Sequence, residues 1–355
     1  MTTTDSNPLS ALWREFERAP GRVSNTVKLL GQKPELWPTP HTTVWSDGKV
    51  QLWRFDSDAR RHATPVVVVS SLVSRSYILD LLPEKSFLAF MRDAGFDVYL
   101  LEWGVPDASD SRRRIEDYVD GWIPEGVRQA CEVSGADSVS LVGYCLGGVL
   151  TALATAGHPD LPVRDMVQLA APLDFSALGT WSDLFVAGLG ARTLLDHTGN
   201  VPPMLIENYF RMLKPAAETM QYTALMQNLH DDDFVRNYQA MNHWIRDHVP
   251  FPGAAFHQLV DDLLKGNALM RGGMRLGDRV VDLTTIDKPL LNVLAEADHL
   301  VPPDSAEPWT RIVSSTETEE FRMRGGHVGL ICGKSATRKT QPKVAEWLAR
   351  GEASA

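Results

Sequence analysis

Cysteine is scarce in this chain. Only Cys131, Cys145 and Cys332 occur in 355 residues, and no two of them form a C-x-x-C pair. That excludes a disulfide-stapled secreted scaffold and a cysteine zinc site, and it suits a reducing compartment. Also missing are an H-x-x-x-H pair, a glycine-rich phosphate loop and a dinucleotide fingerprint, so neither a metal nor a redox cofactor is called for. No uninterrupted apolar stretch is long enough to span a bilayer. The opening Met1-Thr-Thr-Thr-Asp-Ser-Asn-Pro8 is polar and lacks the apolar region of a secretory signal, so a cytoplasmic location is expected. Positive charge is in deficit, with 35 Lys and Arg against 45 Asp and Glu, a net charge of −10. This argues against a general nucleic-acid binder, and an anionic substrate would need a local basic patch. Internal repeats and low-complexity tracts are absent as well. What remains, 44% hydrophobic and 23% charged, is the composition of a globular protein with length for one large domain or two ordinary ones.

Against that background one stretch stands out. Gly143-Tyr144-Cys145-Leu146-Gly147 rebuilds the G-x-S-x-G nucleophile elbow with sulfur in place of oxygen. Asp137-Ser-Val-Ser-Leu-Val142 before it reads as a buried strand, and Gly148 to Ala156 after it as a small-residue helix. Strand, sharp turn and helix are the context the elbow needs, because the turn lifts the nucleophile to the top of a sheet while the glycines relieve crowding around its backbone. A buried, inert cysteine in a glycine-rich turn is the bland alternative. The coincidence of strand, both glycines and helix favours Cys145 as a catalytic nucleophile.

The rest of the chain supplies a frame for it. Asp47-Gly48 between Thr43–Trp45 and Val50–Phe55 marks a hairpin, and Pro65-Val-Val-Val-Val-Ser70 suits a strand covered on both faces. Helical stretches over Ser86–Ala94 and about 115–133 alternate with strands at Asp97–Leu101 and Met166–Ala170. Alternation of this kind implies a mostly parallel sheet with helices on both faces. From Asp174 to about Gly273 it stops, and Leu, Met and aromatic residues recur at helical spacing. We therefore expect a helical cap over 174–273 inserted into a core formed by 42–173 and 274–355. Residues 1–41, with a possible helix over Leu9–Arg18, form an N-terminal accessory segment.

A thiol of pKa ~8.5 is only partly ionised at neutral pH, so Cys145 needs a base. The α/β-hydrolase order of nucleophile, acid and histidine points to two strand ends. Pro289–Ala295 runs on into Asp298, and Phe321-Arg-Met-Arg-Gly-Gly-His327 ends in a histidine preceded by glycines. Glu296 is a rival acid two residues before Asp298. His299, beside it, and Trp244 are candidates for lining a substrate channel, along with the cap aromatics. His230, His243, His248 and His257 lie in the cap and compete less well for the role of base. The oxyanion hole of this architecture takes the N–H after the nucleophile, here Leu146, and a second from the loop after an early strand. That loop is Ser71-Leu-Val-Ser74, with Val73 the chosen donor.

These residues resemble a known family. Gly143-Tyr-Cys-Leu-Gly-Gly148 is similar to the lipase-like box of polyhydroxyalkanoate synthases, whose nucleophile is cysteine. Leu72–Asp80, Val98–Gly104, Pro172–Phe175, Asn242–Trp244, Ala297–Pro302 and Gly325–Gly329 resemble that family's other signature stretches, so the resemblance runs from about residue 42 to 350. In length the chain is most similar to the class III catalytic subunit. The resemblance implies an α/β-hydrolase fold and an acyltransferase that polymerises (R)-3-hydroxyacyl-CoA, with 3-hydroxybutyryl-CoA the expected monomer, releasing CoA through an acyl-cysteine. It further implies a second synthase subunit, a homodimer or hetero-oligomer, and association with the polyester granule surface. Whether Asp298 orients His327 or acts on the monomer hydroxyl stays open. A cytosolic cysteine thioesterase or polyester depolymerase would share every catalytic residue and differ only in its acceptor. A granule-binding scaffold with a dead hydrolase fold is disfavoured by the intact Cys, Asp and His.

Overall fold

Four valines in a row, Val66–Val69, set the plan of the molecule. All four are fully buried. Alternate side chains leave opposite faces of a strand, so Val67 and Val69 enter one hydrophobic core while Val66 and Val68 enter another. Each fully buried valine contributes roughly 1.5–3 kcal/mol relative to exposure, which makes this strand an anchor for both layers. The computed structural model describes residues 34–57, 59–179, 195–213 and 215–353, together with 20–22, 24, 25 and 29. The helix expected over Leu9–Arg18 and the part of the expected cap at 180–194 lie outside the described residues.

Eight strands form the main sheet: β1 (Thr42–Asp47), β2 (Val50–Phe55), β3 (Val66–Val69), β4 (Val98–Glu102), β5 (Val139–Tyr144), β6 (Val163–Leu169), β7 (Leu290–Ala295) and β8 (Thr318–Met323). Their spatial order is β1-β2-β4-β3-β5-β6-β7-β8. The hairpin expected at Asp47-Gly48 joins β1 and β2, and β2 pairs antiparallel with β4. All pairings from β4 to β8 are parallel. Helices α1 (Phe87–Asp93), α2 (Ile123–Ser134) and α3 (Leu146–Gly157) cross between strands. Val127, Val149 and Leu153 pack in the first core; Phe87 and Met91 of α1 pack in the second, with Val344 and Leu348 of the C-terminal helix 341–353. Both faces of the sheet are covered, as the alternating pattern implied. The helical stretch expected from about 115 starts there, widens into a π-helical segment over Asp117–Trp122 and continues as α from Ile123.

Two amphipathic helices, α4 (Pro203–Leu213) and α6 (Asp232–Arg246), and the largely exposed α5 (Ala217–Gln227) stand over the carboxyl ends of the strands. Asp231 caps α6, its side chain accepting from the N–H groups of Asp233 and Phe234. The second half of the expected insertion behaves differently. Phe251, Phe256, Val260, Leu263 and Met274 bury themselves in the first core, so this part of the chain is packed into the body. Among the described residues no helix is long and apolar enough to cross a membrane.

Candidate active site

Strand register brings the site together. Val69 of β3 lies opposite Gly143 of β5, and Leu169 of β6 opposite Tyr144. The loop after β3 and the elbow after β5 therefore leave the sheet side by side. Asp298 and His327 follow β7 and β8, adjacent parallel strands paired through Ala295 and Met323. Parallel strands place all their carboxyl ends on one edge, which is where such sheets build their sites.

At the elbow Cys145 has φ 55° and ψ −126°, a conformation rarely adopted by a residue with a side chain. Its N–H donates to the Leu169 carbonyl at 2.9 Å, which pins the turn to the neighbouring strand. Both flanking glycines are required. A Cβ on Gly143 would stand 2.4 Å from Gly148 Cα, and one on Gly147 would stand 2.2 Å from the Val69 carbonyl oxygen. Leu146 is the first residue of α3, so its N–H has no acceptor within the helix and the positive end of the dipole lies beside Cys145.

His327 and Asp298 are both buried. The Nδ1 of His327 lies 2.7 Å from Asp298 Oδ2, while Asp298 Oδ1 accepts from the N–H groups of Leu300 and Val301, each at 2.9 Å. Both carboxylate oxygens are thus committed, and the imidazole is turned with Nε2 free for Cys145. Burial alone would drain the proton from His327. The opposed Cys145 sulfur and the Asp298 carboxylate, the latter hydrogen-bonded to the ring, outweigh burial and push the imidazole up to about 10. The rival acid Glu296 is exposed, 3.9 Å from Arg324. Neither remaining cysteine lines the cavity over Cys145; burial pushes Cys332 up to about 12 and raises Cys131 as well. Among the described residues no group of three metal-ligating side chains comes together.

A cavity of about 370 Å³ opens over Cys145 and His327. Its walls are largely apolar, with Phe175, Leu205, Ile206, Phe210, Ile245 and Phe256 among them. The cap therefore supplies aromatic and aliphatic lining, whereas Met204, Met212, Met220 and Tyr222 are exposed. Trp244 lines the cavity too, and its Nε1 donates to the Arg75 carbonyl at 2.7 Å. Val73 is in the lining; its N–H points to Ser71 Oγ at 3.4 Å and its carbonyl lies 3.2 Å from His248 Nδ1. His299 was expected in the channel from its place beside Asp298. It is instead exposed and not among the described lining residues, because the turn capped by Asp298 Oδ1 carries it outward.

Sequence reasoning also passed over Glu102. This carboxylate is buried at the end of β4, where it accepts from Ser76 Oγ and, at 3.2 Å, from the Gly104 N–H. Burial raises it to about 7, against the lowering effects of Arg75 and the Gly104 N–H. It belongs to a second, more polar cavity of about 180 Å³ that shares Ser71 and Ser74 with the first but includes neither Cys145 nor His327. Glu102 thus props the loop after β3 from behind.

The comparisons agree with this geometry. A family model described as the alpha/beta hydrolase fold matches residues 65–331. A putative lipase from Sulfolobus solfataricus superposes with a TM-score of 0.52 at 12% identity, over 87% of this chain and 97% of that one, a likeness of fold alone. The poly(3-hydroxyalkanoate) polymerase subunit PhaC of Thiocystis violacea is 34% identical over 316 residues, covering 87% of this chain and 88% of its own. Its namesake in Haloferax mediterranei is 31% identical over 347 residues, 95% of this chain and 70% of its own. With its cysteine elbow on an α/β-hydrolase sheet, the chain belongs to the poly(3-hydroxyalkanoate) polymerase family.

Proposed function

We propose that this chain polymerises (R)-3-hydroxyacyl-CoA, with 3-hydroxybutyryl-CoA the expected monomer, into polyester with release of CoA. The observation that carries the reading is a cysteine at a strained elbow, facing a buried Asp298–His327 pair beneath an apolar cavity. His327 Nε2 takes the thiol proton and Cys145 attacks the thioester carbonyl. The Leu146 N–H and an N–H of the loop at Val73 receive the developing oxyanion. The C–S bond to CoA breaks, and CoA leaves with the proton held by His327. His327 then takes the proton of the next monomer's hydroxyl. That oxygen attacks the acyl-Cys145 carbonyl, an ester C–O bond forms, and the cysteine sulfur departs and recovers the proton. The lengthened acyl-CoA reacylates Cys145 and the cycle repeats.

In this scheme Asp298 orients His327, because both of its oxygens are already engaged. The cap helices over 203–246 keep water from the acyl-cysteine, which favours a hydroxyl acceptor over hydrolysis. The accessory segment 1–41, a second subunit and the granule surface complete the assembly in this reading; the relatives carry the word subunit in their names. Supplying 3-hydroxybutyryl-CoA to the purified chain and analysing the product tests the function. Insoluble polyester with stoichiometric CoA is the expected outcome, whereas free 3-hydroxybutyrate would identify a thioesterase.

A further inference from the structure

One histidine in the cavity is left over once the catalytic array is assembled. His248, just after α6, is half-buried in the wall, with ring centroids 5.3 Å from Phe210 and 6.4 Å from Trp244. Its Nδ1 lies 3.2 Å from the Val73 carbonyl oxygen. A carbonyl only accepts, so Nδ1 carries the ring proton. Burial holds the imidazole below its ordinary value, against the upward pull of the Val73 carbonyl, Glu207 and Asp247. A neutral ring protonated at Nδ1 leaves a lone pair on Nε2. Among the described residues no hydrogen bond occupies that atom. The cavity therefore presents, in a wall of aromatic and aliphatic side chains, one imidazole whose tautomer is fixed by the backbone behind it.

A substrate of this family carries exactly one polar group along its acyl chain besides the thioester, the 3-hydroxyl. We propose that His248 reads that hydroxyl: its Nε2 accepts the hydroxyl hydrogen of the (R)-3-hydroxyacyl group bound over Cys145 and so sets the preference for hydroxylated over plain acyl thioesters. The inference rests on the reading of this cavity as the acyl site. A plain acyl chain leaves Nε2 desolvated and unpaired, and sites built to bond a substrate hydroxyl reject analogues that lack it for this reason. The role is one of substrate selection, and the bond-making steps stay with Cys145 and His327.

Single-turnover CoA release from 3-hydroxybutyryl-CoA and from butyryl-CoA, compared as kcat/KM, tests the assignment. His248→Asn keeps an N–H for the Val73 carbonyl but has nothing at Nε2; His248→Leu lacks both; His248→Gln extends an amide oxygen toward the Nε2 position. We expect the Asn and Leu variants to lower the preference for the hydroxylated thioester by about tenfold, with butyryl-CoA little affected, and Gln to restore part of it. An unchanged preference in Asn and Leu overturns the proposal, as does equal slowing of both thioesters, which marks a packing role. CoA release that survives Cys145→Ala strikes the acyl-site reading itself, and the hydroxyl-reading role falls with it.

Discussion

At Cys145 a backbone conformation that a side chain ordinarily avoids is held by the surrounding strand, helix and glycines. Such strain persists only where the surroundings over-determine it, and here it presents a sulfur to His327. Cys145→Ser is expected to retain roughly a hundredth or less of the CoA release, because a hydroxyl is far harder to deprotonate than a thiol at a site matched to sulfur; stopped-flow CoA release with a thiol reagent measures it. Asp298→Asn removes the acceptor for His327 Nδ1–H, and loss of the correct tautomer costs on the order of 10⁴ in the serine analogue of this array. Since in the proposed scheme the same imidazole serves both half-reactions, acylation and elongation should fall together in single-turnover and steady-state assays. Loss confined to elongation would instead place Asp298 on the monomer hydroxyl. That Cys145, Asp298 and His327 converge was legible in the sequence because strand-end motifs occur in hydrolase order. His248 was not, since its meaning comes from a Val73 carbonyl 175 positions away.

Single elements carry their own tests. Gly147→Ala drives a Cβ into the Val69 carbonyl oxygen at 2.2 Å, so the elbow and β3 must part. Overpacking of this kind costs about 1–3 kcal/mol, and thermal unfolding should register it together with loss of CoA release. Glu102 gives a pH signature to the loop after β3. Its ordinary value of 4.5 rises to about 7 on folding, so its contribution to stability is fully present below pH 4.5 and is lost as pH rises through about 7. Relative to wild type, Glu102→Gln should flatten the stability profile across that window by on the order of 3 kcal/mol; urea unfolding at a series of pH values reads the slope. The strands were legible because apolar runs bounded by turn residues have few other solutions. The π-helical segment at Asp117–Trp122 was not, because an extra residue per turn leaves no mark on an apolar pattern. His299 misled for a similar reason: adjacency to Asp298 in the chain says nothing about which way a capped turn throws its side chains.

For the molecule as a whole, the proposed function gives the cap control of access. Residues of α4 and α6 line the cavity over Cys145, and the end of α6 is tied to the body through Trp244 on Arg75 and, just beyond it, Tyr77 on Asp247. A partner that binds the open state better shifts that population. The chain alone should therefore show a lag that shortens when the proposed partner subunit or a primer is added, with faster hydrogen exchange over 203–246 in the assembly. A rise in activity with unchanged exchange there would remove the gating role. The architecture was legible as a sheet with an inserted cap; that residues 251–276 pack into the body was not, because an apolar helix reads the same in either place. The central claim, that polymer grows by way of an acyl-Cys145, is tested most directly by quenching the enzyme after one equivalent of butyryl-CoA and locating the adduct by mass spectrometry of its peptides. The account predicts one butyryl group on Cys145 with one CoA released, and none in Cys145→Ala. CoA released without an adduct at Cys145, or undiminished in the alanine variant, would contradict it.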